Sequence, residues 1–253
     1  MKSAIIIPAR YASQRLPGKP LLRETGKYLV QHVYEQACRA SRAAVVIVAT
    51  DDCRIEAAVK GFGGDVVRTR RDHASGTDRV AEVALRVDAD VILNLQGDEP
   101  LVTPCDLDLL PELLEHTPDS DVATLAAPIQ SLEQWQNPSC VKVVCDAGGR
   151  ALYFSRSPIP FVRDGKPDLK AQPPRFLAHL GLYAYRRPFL LKLASTRPQP
   201  LEQLEKLEQL RVLALGKHIQ VGITRHAAAG VDTYDDYRRF VANYRQTHTR
   251  RAA

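Results

Sequence analysis

The chain has 253 residues, room for one large α/β domain with a second lobe, and at 45% hydrophobic and 25% charged it can fill an ordinary globular core. Its apolar runs stop at five or six residues, short of the ~20 a membrane helix needs, and the opening run Ala4–Ile7 is too brief for a secretory core, so a cytoplasmic protein with no membrane partner is expected. The net charge of +6 allows an anionic partner, while five irregularly spaced cysteines with no C-x-x-C pair suggest free buried thiols rather than a disulfide framework or a zinc site.

Ile5–Ile7 reads as a short buried strand. "YLVQHVYEQACRA" sets Val30, Val33, Tyr34 and Ala37 at helical spacing. "AVVIVATD" is a second apolar strand, "RIEAAVKGFGG" a helix stopped by glycines and "DVVRT" a third strand. "GTDRVAEVALRV" gathers Val80, Val83, Ala84 and Val87 on one helical face, and "DVILNL" is a fourth strand. Continuous apolar strands, each followed by a helix, predict a mostly parallel central sheet with flanking helices. Beyond about residue 120, "DVATLAAPI", "CVKVVCDAGGRALYFSRSPIPF" and "FLAHLGLYAYRR" read as strands with shorter connections, and Ala147-Gly148-Gly149 suits a hairpin. "VRDGKPDLKAQPPR" is expected as a long exposed loop. "LEQLEKLEQLRVLALG" is expected as one helix carrying Leu201, Leu204, Leu207 and Leu210 and ended by Gly216; "IQVGITR" is a last strand and "DDYRRFVANYRQ" a last helix with a solvated basic tail. The expectation is a single α/β domain over 1–253, with a smaller, more antiparallel subdomain inserted at 120–190.

Four stretches carry chemistry. In open α/β sheets ligands bind beyond the carboxyl ends of the strands. There, in "IIIPARYASQRLPGKPL", Arg10, Arg15 and Lys19 stand on a loop stiffened by Pro17, Gly18 and Pro20. Guanidinium forks and a compact ammonium suit phosphate oxygens, although neither Walker A nor G-x-G-x-x-G is present; the bland alternative is a basic surface turn. Asp98 in "NLQGDEP" follows the fourth strand and a glycine, where a carboxylate can hold Mg²⁺ with substrate phosphates; the alternative is an acidic turn, with Glu99 facing solvent. In "GVDTYDD", Asp232 is either a second metal ligand or a helix N-cap, a role better suited to Asp235 or Asp236. Ser75-Gly76-Thr77 opens a helix whose amides can grip a polar ring edge, or Ser75 and Thr77 simply cap it. Three cations with one or two carboxylates point to a nucleoside triphosphate and Mg²⁺.

Together "IIPARYASQRLPGKPL", "DHASGTDRVAEV", "NLQGDEP", "ALYFSR", "HLGLYAYR", "LEQLR" and "GVDT" resemble the 3-deoxy-D-manno-octulosonate cytidylyltransferase (CMP-Kdo synthetase) family, in order and over nearly the whole chain. The first motif is shared with acylneuraminate cytidylyltransferases; "ALYFSR", "HLGLYAYR" and "LEQLR" narrow the likeness. The resemblance implies a nucleotide-diphospho-sugar transferase-like fold, a homodimer formed through the inserted subdomain, and CTP plus the acidic sugar Kdo giving CMP-Kdo and pyrophosphate for lipopolysaccharide. It implies that Arg10, Arg15 and Lys19 hold the triphosphate, that Ser75, Gly76 and Arg79 line the nucleotide pocket, and that Asp98 and Asp232 bind Mg²⁺. Gln96, Arg156, His179, Tyr183, Glu208 and Gln209 would take the sugar, with Arg10, Lys19 and Asp98 catalytic. Arg156 at a strand end can fork onto the sugar carboxylate, and His179 and Tyr183, four apart on one strand, share a face. Tyr28 and Tyr234 replace prolines common in the family, and "SPIPF" and "QPPR" depart further, which bears on Kdo against its 8-amino analogue or a sialic acid. A basic nucleic-acid binder is the rival of another class, but no stacking-aromatic RNA motif or zinc finger supports it.

Overall fold

Seven consecutive buried residues, Ser3–Ala9, form the first strand, β1, and a run so uniformly apolar belongs to a strand covered on both faces. A computed structural model of the chain describes residues 1–12, 16–225 and 230–252. In chain order β1 is followed by α1 (Leu29–Ala37), β2 (Ala43–Thr50), α2 (Cys53–Gly61), β3 (Val66–Arg68), α3 (Gly76–Ala84), β4 (Val91–Asn94) and α4 (Pro104–His116). Then come β5 (Val122–Pro128), α5 (Leu132–Gln136), β6 (Lys142–Cys145), β7 (Ala151–Ser155) and β8 (Leu177–Arg186). The chain closes with α6 (Arg187–Ala194), α7 (Pro200–Glu205), α8 (Gln209–Ala214), β9 (Ile219–Ile223) and α9 (Tyr234–Ala252). The class is the expected one: α/β, with a mostly parallel sheet and flanking helices.

The chain divides into two units. One comprises Lys2–Ala89, Asn94–Leu107 and Ala228–Ala253; the other comprises Met1, Asp90–Leu93 and Asp108–Ala227. In the first unit β1 pairs with β2 and β2 with β3, all parallel, in the registers Ile5↔Val46 and Val48↔Val66. Asp52 caps α2, accepting from the Arg54 amide, and satisfies one of the helix's orphan donors. Tyr237, Phe240 and Val241 of α9 pack with Leu16, Leu29 and Val231. Burying each large side chain of that kind contributes about 1.5–3 kcal/mol, so the last helix is held to the segments around residues 16 and 29.

The second unit is the more antiparallel one. β5 pairs antiparallel with β8 and parallel with β9, and β6 pairs antiparallel with β7 and β8. The expected hairpin joins β6 to β7: the Asp146 carboxylate accepts from the amides of Gly148 (2.8 Å) and Arg150 (2.9 Å), and Gly149 takes φ 78°, open to glycine at little cost. Residues 162–175 carry no helix or strand, yet Val162 and Leu169 pack against Ile129, Trp135, Phe176 and Ala178.

The single helix expected over 201–216 is instead two, α7 and α8. Lys206 between them adopts φ 54°, which ends α7 in a left-handed cap. Leucines spaced by three drift around a helix by about 60° per step. Accordingly Leu201 and Leu204 are exposed while Leu207 and Leu210 are buried. A buried ion pair joins the two helices: one guanidinium edge of Arg211 donates to both oxygens of Glu202, Nε at 2.8 Å and Nη2 at 2.5 Å.

Candidate active site

The first cluster is built where β1 ends. Gly18, at φ 69°, donates its amide to the Tyr11 carbonyl and turns the chain into a short 3-10 helix, Lys19–Leu21. The turn sends the Lys19 stem inward, leaving the residue 8% exposed. Lys19 is therefore not exposed as a basic surface turn, the bland alternative, would have it.

Beyond β4 the chain must pass close to the end of β1. A side chain at Gly97 would place its Cβ 3.0 Å from the Pro8 carbonyl oxygen, so only glycine fits without displacement there. Asp98 follows at once, and the Val231 amide donates to its carbonyl at 2.8 Å. Lys19 Nζ then donates to Asp98 Oδ2 at 2.5 Å and to the Val231 carbonyl at 2.8 Å, with Asp232 Oδ1 at 3.5 Å. Three acceptors meet the three donors of one ammonium. Asp232 is not the helix cap: the Thr233 hydroxyl, just before α9, accepts from the Asp236 amide, and the Asp236 carboxylate, expected as the cap itself, instead closes the box by accepting from the amides of Asp232 and Thr233. Glu99 is partly buried rather than solvated. Lost hydration, with Asp98 and Asp232 nearby, pushes its carboxyl up to about 7.

Arg10 Nη2 donates to the carbonyls of His73 (3.0 Å) and Ser75 (2.6 Å), fixing the turn before α3. Burial, and then the nearby Arg79, lowers the Arg10 pKa. Ser75 caps α3 in a reciprocal box with Asp78, so the capping reading of that residue holds. The first turn of α3 still presents positive partial charge to whatever lies before it. Arg10, Lys19, Ser75, Gly76, Gln96 and Asp98 line one cavity of about 310 Å³. Arg79 is not among its lining: it is fully buried, donates to Thr69 Oγ1 and stands 3.2 Å from Asp51. Arg15 lies outside the described residues.

The other expected residues belong to the second unit. His179 Nε2 meets Thr124 Oγ1 at 2.9 Å and its ring contacts Phe154 and Tyr183, with centroids 5.0 and 5.3 Å apart. β8 carries a bulge here: Thr124 pairs with Tyr183 but Leu125 pairs with Leu180, so Gly181 and Leu182 are extra. Two extra residues preserve the pleat's parity, and His179 and Tyr183 share a face as expected. Burial brings the imidazole pKa down to about 3. Burial, followed by Tyr185 and Glu208, raises that of Tyr183. Glu208 opens α8 and Gln209, its first residue, is buried. Arg156 donates to the carbonyls of Glu205 (2.7 Å), Pro138 (3.0 Å) and Lys206 (3.4 Å). Sequence reasoning passed over Lys142, Glu205 and Thr124, since a lone charge or hydroxyl in a strand-like run carries no signal of its partners.

A cytidylyltransferase family model matches residues 4–219. The 3-deoxy-manno-octulosonate cytidylyltransferase of Syntrophobacter fumaroxidans is 53% identical, over 93% of this chain and 94% of its own. Its counterpart in Geobacter sulfurreducens is 51% identical over 93% and 96%. A solved structure of CMP:2-keto-3-deoxy-manno-octonic acid synthetase complexed with CTP superposes with a TM-score of 0.91 at 46% identity, covering 98% of this chain and 100% of that one. The chain belongs to the cytidylyltransferase family, within its 3-deoxy-manno-octulosonate branch.

Proposed function

We propose that this protein transfers CMP from CTP to the anomeric hydroxyl of Kdo, releasing pyrophosphate and supplying activated sugar for lipopolysaccharide. The observation that carries the reading is the meeting of Lys19 with Asp98 and Asp232 beside the cavity formed by Arg10, Ser75 and Gly76. It unites a phosphate-binding cation, a helix N-terminus and two carboxylates.

In the reaction the Kdo hydroxyl oxygen bonds to the α-phosphorus, the bond to the bridging oxygen breaks, pyrophosphate departs and the hydroxyl proton passes to water. Little covalent work falls to the protein; positioning and charge stabilisation dominate such transfers. Lys19 exchanges its longest contact, the 3.5 Å one to Asp232, for a phosphate oxygen. Arg10 steadies the approach to α3 through two carbonyls and offers its remaining N–H groups to the triphosphate. Asp98 and Asp232 already converge on one cation and offer only hard oxygen donors, a set that suits Mg²⁺ held through one or two carboxylates plus phosphates. When bound, the ion neutralises phosphate charge and polarises the phosphoryl group. Arg156, His179, Tyr183, Glu208 and Gln209 of the second unit receive the acid sugar.

We further infer a cytoplasmic homodimer. Among the described residues no helix is long and apolar enough to cross a membrane, and Phe161, Leu204 and Leu152 stand 83%, 79% and 61% exposed in the second unit. Pyrophosphate release should require CTP, Kdo and Mg²⁺ together. Absence of release with all three, or a preference for a sialic acid, would overturn the assignment; light scattering checks the dimer.

A further inference from the structure

Lys142 opens β6, paired with Ser155 on one side and Ala178 on the other, and is 0% exposed. A lysine so deep is costly unless every donor is met. Here all three are: Nζ donates to the carbonyls of Asn137 (3.0 Å), Cys140 (2.7 Å) and Arg156 (2.5 Å). A neutral amine has only two N–H donors, so this geometry describes an ammonium. Burial lowers its pKa, with the nearby Cys140 and Glu205 acting in the opposite direction.

The far side of Arg156 is held by a second charge. Glu205 Oε2 accepts from the Arg156 amide at 3.0 Å and Oε1 from the Ser155 hydroxyl at 2.6 Å. The amide and the carbonyl of one residue are thus each fixed by an ionised side chain. The guanidinium in turn bonds to the loop that Lys142 ties down, at Pro138, and to the end of α7, at Glu205 and Lys206. Among the described residues three of its five N–H groups are engaged, leaving one on each terminal nitrogen, the number a bidentate carboxylate needs.

We propose that Lys142 and Glu205 are positioning residues for the acid sugar: gripping the Arg156 main chain from opposite sides, they hold its guanidinium ready for the sugar carboxylate. The inference rests on the reading of Arg156 as the carboxylate-binding group. Long side chains lose rotamer freedom on ordering, and a main chain pinned at both ends removes part of that cost before the sugar arrives.

The test measures KM for Kdo and for CTP, kcat and the thermal midpoint in Lys142→Met, Glu205→Ala and Arg156→Ala. Lys142→Met keeps length and packing but deletes the three donors. It should raise KM for Kdo at least tenfold, and Glu205→Ala at least fivefold, with KM for CTP unchanged within twofold. A purely structural role would lower the midpoint and the active fraction without touching KM for Kdo. If Lys142→Met does not fold, Glu205→Ala, altered at a half-buried helix end, decides alone. The proposal is overturned if Arg156→Ala raises KM for Kdo while the folded positioning variants stay within twofold of the parent. If Arg156→Ala itself leaves KM for Kdo unchanged, the fault lies in the assignment of Arg156, and the positioning role falls with it.

Discussion

Lys19→Met preserves the stem and its packing while deleting the ammonium that Asp98, Asp232 and the Val231 carbonyl share. The Lys19 side chain is 11% exposed, that of Asp98 29% and that of Asp232 47%, so the three contacts are unequal. A charge-assisted hydrogen bond of the Asp98 kind contributes about 1.5–3 kcal/mol, and the more exposed, longer Asp232 pair about 0–1 kcal/mol. The loss should total about 3 kcal/mol, since Asp98, Asp232 and Glu99 are then left as neighbours with no cation between them. For a chain of this size that lowers the thermal midpoint by roughly 6–12 °C. Turnover should suffer more: loss of a cation aimed at the charge that develops in phosphoryl transfer should cut kcat/KM by ~10³-fold, about 4 kcal/mol. Scanning fluorimetry gives the first quantity and coupled pyrophosphate release the second, at a temperature where the variant is folded. A variant melting within 2 °C of the parent and turning over within tenfold of it would refute the reasoning, because the convergence on Lys19 would then carry neither stability nor chemistry.

Asp98→Asn keeps the shape of the side chain but removes its charge, and turnover should fall at least ~100-fold, about 3 kcal/mol; near-normal release would reject its metal role. His179, whose imidazole pKa lies at about 3 when folded, binds a proton in the unfolded chain below about 6.5, so stability should fall as pH drops from 6.5 toward 3. By pH 4.5 the loss should be about 3 kcal/mol, and urea titrations of His179→Gln should show that much less pH dependence than the parent. Glu202→Ala strands a buried guanidinium and should cost ~3–5 kcal/mol, whereas pairing it with Arg211→Met should recover most of that; an additive double variant would contradict the account.

The strands and helices of the first unit were legible because β1, β2, α1, α2 and α3 have apolar patterns that agree with their surroundings. Less visible was α4, with Pro111 inside it and no clean start, and the leucine row of 201–210 suggested continuity where Lys206 breaks the helix. Residue type and position at strand ends were enough to single out Lys19 and Asp98, since topology brings such ends together. How Arg10 and Arg156 divide their N–H groups among carbonyls was not legible. Main-chain acceptors leave no mark on a sequence, and Arg79 reads the same whether it meets a ligand or Thr69. Lys142 and Glu205 were hidden for the same reason, since their partners are amides and carbonyls.

The two surplus residues of β8, Gly181 and Leu182, limit how this strand can change length. Deleting or inserting one residue between Leu180 and Tyr183 would turn Tyr183 to the opposite side from His179, while a change of two would restore the match. Natural and engineered indels at this point should therefore come in even steps, and single-residue changes should separate the ring pair long before they unfold the chain.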